Sequence, residues 1–304
     1  MAAGCLLLAI FAWNADQFTR GEGGVPLDDA WIHFQFARNL ARGDGLSFNP
    51  GQPTSGSTAP LWTVLLAATY AAGGRFPAAG QALSAVCYLT SLAATYRLAK
   101  HLTGKSGAAW IAGMVVATNG RMVWAGLSAL ETCLFATLSL LAIRAHLADQ
   151  AKRRWTWRTP MLFGLATLSR PEGYLLFGFA LADIGLRALK SSDPWRVRWR
   201  RLPVLPTMLF AAMVLPYLLF SLHTSGHLLP NTYHAKATLS LLPDRDFLSL
   251  TARYLILDNP LLLPTFCLGL ILLVRSAPLS ACGALAFRWS MPAWGPCSTS
   301  TDAT

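Results

Sequence analysis

Leu27 to Trp62 reads LDDAWIHFQFARNLARGDGLSFNPGQPTSGSTAPLW. It is the one long polar insertion between two apolar segments near the N-terminus. Two adjacent carboxylates, Asp28 and Asp29, open it. Trp31, Phe34, Ala37 and Ala41 then recur at helical spacing, with Ile32, Phe36 and Leu40 as a neighbouring row. Gly43 is a stop signal for that helix, and Asp44-Gly45 and Asn49-Pro50-Gly51 are turn signals. Thr54 to Thr58 reads as a flexible polar run, and Pro60 suits the first turn of the next helix. The stretch is therefore expected to be a short amphipathic helix and loop held at a membrane face. An aspartate just before a helix is a good N-cap, and acids at that end suit the helix dipole. Two adjacent aspartates exceed what one cap needs, which leaves one for chemistry.

Composition supports the membrane. Of 304 residues, 54% are hydrophobic and 13% charged, with mean hydropathy +0.41. A soluble chain carries about a quarter charged residues. Apolar runs long enough to cross a bilayer recur, so the expected fold class is all-α, a polytopic transmembrane helical bundle with an extracytoplasmic loop that carries amphipathic helices. The net charge of +11 sits between apolar runs, where topology and contact with anionic lipid require it. No nucleic-acid-binding motif lies beside it, so no nucleic-acid partner is expected. The six cysteines are scattered without a CxxC pair and read as small buried residues.

In chain order, residues 2–13 read as a first transmembrane helix, shorter than usual. Apolar helices are expected at about 60–74, 78–99 and 107–125, and another ends near Leu147. Glu131 lies inside the last apolar run, either facing a polar cavity or snorkelling to headgroups. AKRRWTWR (Ala151 to Arg158) and the segment from Arg187 to Arg201 are both basic and expected to be cytoplasmic. Between them the apolar segment breaks at Arg170-Pro171-Glu172-Gly173. Equal flanks predict a hairpin of two short legs with that break at its tip. A further helix is expected over 203–222, an amphipathic stretch at 244–258 and an apolar run at 260–274.

The Asp28–Trp62 stretch resembles the first extracytoplasmic loop of bacterial integral-membrane glycosyltransferases of the GT-C class, arabinofuranosyltransferase-like branch. That loop reads roughly D-D-A-Y-I-S-F-R-Y-A-x-N-L, then G-x-G-L-V-F-N-P-G, then E-G-Y-T. This chain departs from it with Trp31, with His33 and Gln35 inside the helix, and with Ser55-Gly56-Ser57-Thr58 in place of E-G-Y-T. Further matches follow in order: Ala129-Leu130-Glu131-Thr132 for G-L-E-T, Arg170 to Gly173 for R-P-E-G, and Gly226 to Lys236 for G-x-L-L-P-N-T-x-x-A-K.

The resemblance implies transfer of a sugar from a polyprenyl-phosphate donor to a glycan, lipid or protein acceptor of the cell envelope. Such an enzyme sits in the inner membrane with its site facing outside. It implies Asp28 or Asp29 as base, Asp28 being favoured, and Glu131 as a supporting acid. Arg170, Asn231, Tyr233, His234 and Lys236 are implied to bind the donor's phosphate or sugar. Arg170 paired with Glu172 is the structural alternative. No cofactor is required by the resemblance, and a divalent metal at the aspartate pair is compatible with it. The alternatives are a transporter or flippase for lipid-linked saccharides, and an inactive fragment of such a transferase. Residues 1–275 are expected to be the transmembrane domain, with 14–59 as its loop. Residues 276–304 lack caps, periodicity and any match, and are expected to be a truncated or frameshifted end. Four full spans between the loop and Ala151 would return the chain to the side it left. The basic run takes precedence, so one of the four is expected not to cross, or two to merge.

Overall fold

A computed structural model describes residues 1–21, 24–152, 155–190, 203–228 and 230, with isolated positions at 248–250, 252–253, 264, 267 and 271. Among these the fold is all-helical, and the one pairing of extended chain is an isolated bridge between Ser47 and Pro53. The helices are α1 (Ala2–Thr19), α2 (Asp29–Arg42), α3 (Pro60–Ala71), α4 (Ala78–Thr103) and α5 (Ser106–Ala117). They continue as α6 (Gly120–Leu127), α7 (Thr132–Ala151), α8 (Arg158–Ser169), α9 (Gly173–Lys190) and α10 (Val204–Ser225). The tail 276–304, the basic segment from 191, the motif residues Asn231 to Lys236 and most of the runs at 244–258 and 260–274 lie outside the described residues.

Among the described residues, two helices are long and apolar enough to cross a membrane, α7 with mean hydropathy 1.3 and α10 with 1.9. Leu205, Met208, Leu215, Leu219 and Leu222 of α10 are exposed, an apolar face that water does not favour. The bundle has two ends, and contacts between neighbours fix the direction of α4, α5, α7, α8 and α9 between them. At the loop end α4 begins against α2, where a Cβ at Gly80 would lie 2.5 Å from the Phe34 ring. It runs to Lys100 and His101 in its last turn. α5 returns beside it, with the Tyr96 and Trp110 rings 5.4 Å apart and Tyr88 Oη donating to the Ala117 carbonyl at 2.8 Å. α7 descends again from Glu131.

The expected single helix over 107–125 is instead α5 and α6. Asn119 separates them because its side chain accepts the Met122 N–H at 3.1 Å, capping a new helix rather than continuing the old one. The expected loop 14–59 begins later, since α1 continues to Thr19. α3 does not travel between the ends. It lies along α2, with Arg42 donating to Tyr70 Oη at 3.3 Å and Tyr70 stacked on Phe76, which stacks on Phe34. Its twelve residues are about 18 Å long. Three passes therefore separate the loop from Ala151: α4, α5 with α6, and α7.

The break at Arg170 is the tip of a hairpin. Thr159 Oγ1 at the start of α8 donates to Asp149 Oδ2 at 2.6 Å, near the end of α7. Arg170 at the tip meets Glu131 at the beginning of α7, and Asp183 of α9 meets His146 at 2.9 Å, back near its end. Arg187 Nε donates to both Asp183 oxygens, at 2.9 and 3.0 Å. Lys152, Arg158 and Arg187 thus share one end, and α7 sets Glu131 and Asp149 about 27 Å apart. Among the described cysteines, Cys87 and Cys133 are buried as expected, while Cys5 and Cys267 are exposed.

Candidate functional site

The loop end is built from five pieces of chain. α2 supplies the first. It ends at Gly43 with φ 90°, a left-handed conformation that glycine adopts without strain, and the Asp44 N–H bonds back to the Asn39 carbonyl at 2.9 Å. Its inward face is Ala30, His33, Phe34 and Ala37, with Trp31 turned out and 47% exposed. The loop is tied to this helix. Buried Asn39 Nδ2 donates to the carbonyls of Ser47 at 3.0 Å and Phe48 at 2.9 Å, and Gln35 Nε2 donates to the latter at 3.0 Å. The expected flexible run is pinned as well: Ser55 and Ser57 are 1% and 3% exposed. Their bonds hold them, because a buried hydroxyl left without a partner would be costly. The Ser55 hydroxyl meets that of Ser225 at the end of α10, and Tyr217 Oη donates to the Ser57 carbonyl.

The aspartate pair is split by the helix. Asp28 is the α2 N-cap residue, is exposed, and makes no side-chain capping bond. Asp29 is half-buried. His33 follows it at i+4, so the two share a face. That face meets Glu131, whose Oε2 lies 3.6 Å from His33 Nε2.

Glu131 ends a turn that two side chains hold. Trp62 Nε1 donates to the Ala129 carbonyl at 3.1 Å, and Ser84 Oγ to the Leu130 carbonyl at 3.0 Å. Ala129 has φ 57°, a left-handed conformation that costs an alanine roughly 1–2 kcal/mol. This is the position where the resembled motif carries glycine.

Glu131 is 7% exposed, and its partner is Arg170. Arg170 Nη1 donates to Glu131 Oε1 at 3.0 Å, Nη2 to Glu172 Oε1 at 3.0 Å and Nε to Glu172 Oε2 at 3.3 Å. Burial alone would lower the Arg170 pKa, but Glu131 and Glu172 outweigh it and hold it above its ordinary value. The guanidinium is committed to two carboxylates, and the cluster of one cation with two anions carries a net negative charge. Glu131 Oε2 is buried without a hydrogen bond among the described residues. No group of three or more His, Cys, Asp or Glu side chains there is set to hold a metal ion. Arg170 fills the position between the two glutamates that a cation would take.

Asp29, Glu131 and Arg170 are thus brought to one end, with Asp28 beside them on the solvent side. Asn231, Tyr233, His234 and Lys236 lie outside the described residues, although the last turn of α10 just before them is bonded to the loop through Ser225. His33, Ser57, Tyr217 and Glu172 join the site without having been singled out for it. The signal for His33 was a polar residue on the apolar face of an amphipathic helix, one turn after an aspartate. No protein-family model matches the chain, and no curated protein or solved structure is significantly similar to it.

Proposed function

We propose that the chain is a membrane glycosyltransferase of the GT-C kind, moving a sugar from a polyprenyl-phosphate donor to a cell-envelope acceptor with inversion. The observation that carries this reading is the Arg170–Glu131 contact at 3.0 Å, with His33 of the loop helix 3.6 Å from the same carboxylate. The loop helix and two polar motifs set in otherwise apolar stretches converge on one end of the bundle. Packing alone does not demand that. Carboxylates inside apolar segments are expensive and usually functional.

In this reading the bundle is polytopic, with Lys100, Lys152, Arg158 and Arg187 cytoplasmic by the positive-inside rule. The site then faces outside, one hydrocarbon thickness of about 30 Å away. Asp29 is the base, on the inward face of α2. The acceptor oxygen forms a bond to the anomeric carbon as that carbon's bond to the phosphate oxygen breaks. The hydroxyl proton goes to Asp29, and polyprenyl phosphate leaves with the electron pair. Because the leaving group is already stable, no strong general acid is needed. The negative Glu131–Arg170–Glu172 cluster suits the acceptor side and repels phosphate. The donor phosphate falls instead to cations of the 226–236 motif, of which Lys236 and His234 are the candidates.

The test is transfer of radiolabelled sugar in proteoliposomes, supplied as decaprenyl-phosphate arabinofuranose and as a panel of undecaprenyl-phosphate hexoses, with synthetic oligosaccharide acceptors. Transfer from one donor, lost in Asp29→Asn, supports the reading. Movement of the intact lipid between leaflets without transfer contradicts it.

A further inference from the structure

We propose that Tyr217 and Ser225 of α10, with Ser55 of the loop, are positioning residues. They hold the helix that carries Asp29 in register with the segment after α10 to which the donor phosphate is assigned. The inward face of α10 changes character along its length. In its first half, Phe210 and Val214 join a hydrophobic cluster with Phe163 of α8 and Phe177 of α9. Phe210 stacks on Phe177 with ring centroids 3.9 Å apart. Tyr217, Ser221 and Ser225 follow at four-residue steps, so their side chains form one row along the helix. Apolar neighbours would have no use for that row. What it meets is the loop. Tyr217 Oη donates to the Ser57 carbonyl, and the Ser225 hydroxyl bonds to that of Ser55. Ser221, between the two bonds, is buried, so the seam is closed to water.

These bonds form a joint between two parts of the bundle. α10 packs chiefly on α8, whereas α2 packs on α3. Ser57 reaches toward α3 through its hydroxyl, which lies 2.8 Å from Thr63 Oγ1. The chain from Ser55 to Ser57 is thus fastened to α10 on one side and to α3, beside α2, on the other. Asp29 begins α2, and the 226–236 motif starts where α10 ends. Transfer needs the acceptor oxygen, the anomeric carbon and the phosphate in line, and a misplacement of about 1 Å can cost about 10²-fold in rate. Loss of the joint is therefore expected to appear in kcat. Hydroxyls that only satisfied one another would, when removed, lower stability and leave the rate of the folded protein unchanged.

The role in turnover rests on the transferase reading; the joint itself does not. The experiment therefore has two arms. The first is cross-linking of Ser55→Cys with Ser225→Cys in the full chain in nanodiscs, all six native cysteines having been replaced. Mild oxidation is expected to join the two positions in most molecules, read by mass spectrometry of the digest. Ser55→Cys with Leu222→Cys, on the exposed side of α10, is expected not to join. No cross-link in the first pair overturns the proposal. The second arm is sugar transfer, well below the unfolding midpoint, from decaprenyl-phosphate arabinofuranose or whichever panel donor the wild type uses. Tyr217→Phe, which removes only the hydroxyl, is expected to lower kcat roughly 10- to 100-fold, with the acceptor KM within a few-fold of wild type. A kcat close to wild type overturns the positioning role. The reduced double-cysteine protein is expected to be slow, and its oxidation to restore most of the rate. Equal rates in the two forms, or a slower oxidised form, overturn that role as well. A wild type that transfers from no donor overturns the transferase reading and the role in turnover with it, while cross-linking still decides the joint.

Discussion

Arg170 Nη1 lies 3.0 Å from Glu131 Oε1 although the two residues are 39 apart in sequence, one at the tip of a helical hairpin and the other at the start of α7. Glu172 takes two further N–H groups of the same guanidinium. Removing the cation leaves two carboxylates facing each other in a buried place. Arg170→Met is expected to destabilise the protein by about 3–5 kcal/mol, the range for breaking a buried pair. Arg170→Met with Glu131→Gln is expected to recover part of that loss. Thermal unfolding in nanodiscs measures both, and additive losses would deny the coupling.

The hairpin tip also has a steric requirement. A Cβ at Gly173 would sit 2.5 Å from the backbone of Thr167, whereas one at Gly178 on the same helix meets nothing within 4 Å. Gly173→Ala is expected to cost about 1–3 kcal/mol through overpacking. Gly178→Ala is expected to gain up to about 1 kcal/mol from helix propensity. Opposite shifts in the unfolding midpoint check the pair.

Ala129 stores strain in the turn that presents Glu131. Relief of its left-handed backbone, roughly 1–2 kcal/mol, exceeds the loss of one buried methyl, about 0.8 kcal/mol. Ala129→Gly is therefore expected to hold or raise the unfolding midpoint, and Ala129→Val to lower it. A large loss of stability in Ala129→Gly would contradict the strain.

The proposed orientation predicts which side two of the loops label from. Cysteine at exposed Gln52 is expected to react with an impermeant maleimide on intact cells, and cysteine at exposed Lys152 only after permeabilisation, with all six native cysteines replaced beforehand. The reverse pattern would invert the orientation.

How much of this was legible in the sequence depended on range. The hairpin was, because Arg170-Pro171 breaks the helix and like-charged basic flanks demand an even number of legs. The stop at Gly43 was, because one residue's conformational freedom decides it. The packing of α3 along α2 was not. Its sequence PLWTVLLAATYA is as apolar as a span, and only the stack of Tyr70, Phe76 and Phe34 lays it along α2. The break at Asn119 had a local signal, an Asn-Gly pair, that the surrounding apolar residues masked. Ser55 and Ser57 looked flexible because nothing nearby in sequence reveals Ser225 and Tyr217, 170 and 160 residues away. The site's motifs could be named one by one, but their meeting could not.

The central claim is that Asp29, on the inward face of α2, takes the acceptor's proton. Asparagine substitution deletes the base and keeps the shape. The most direct measurement is the rate of labelled sugar transfer in proteoliposomes by wild type, Asp28→Asn and Asp29→Asn, each verified for expression and insertion. Asp29→Asn is expected to fall about 10²–10⁴-fold, the range for loss of a general base, while Asp28→Asn stays within a few-fold of wild type. Near-normal transfer by Asp29→Asn would contradict the account, whether Asp28→Asn then proved inactive or not.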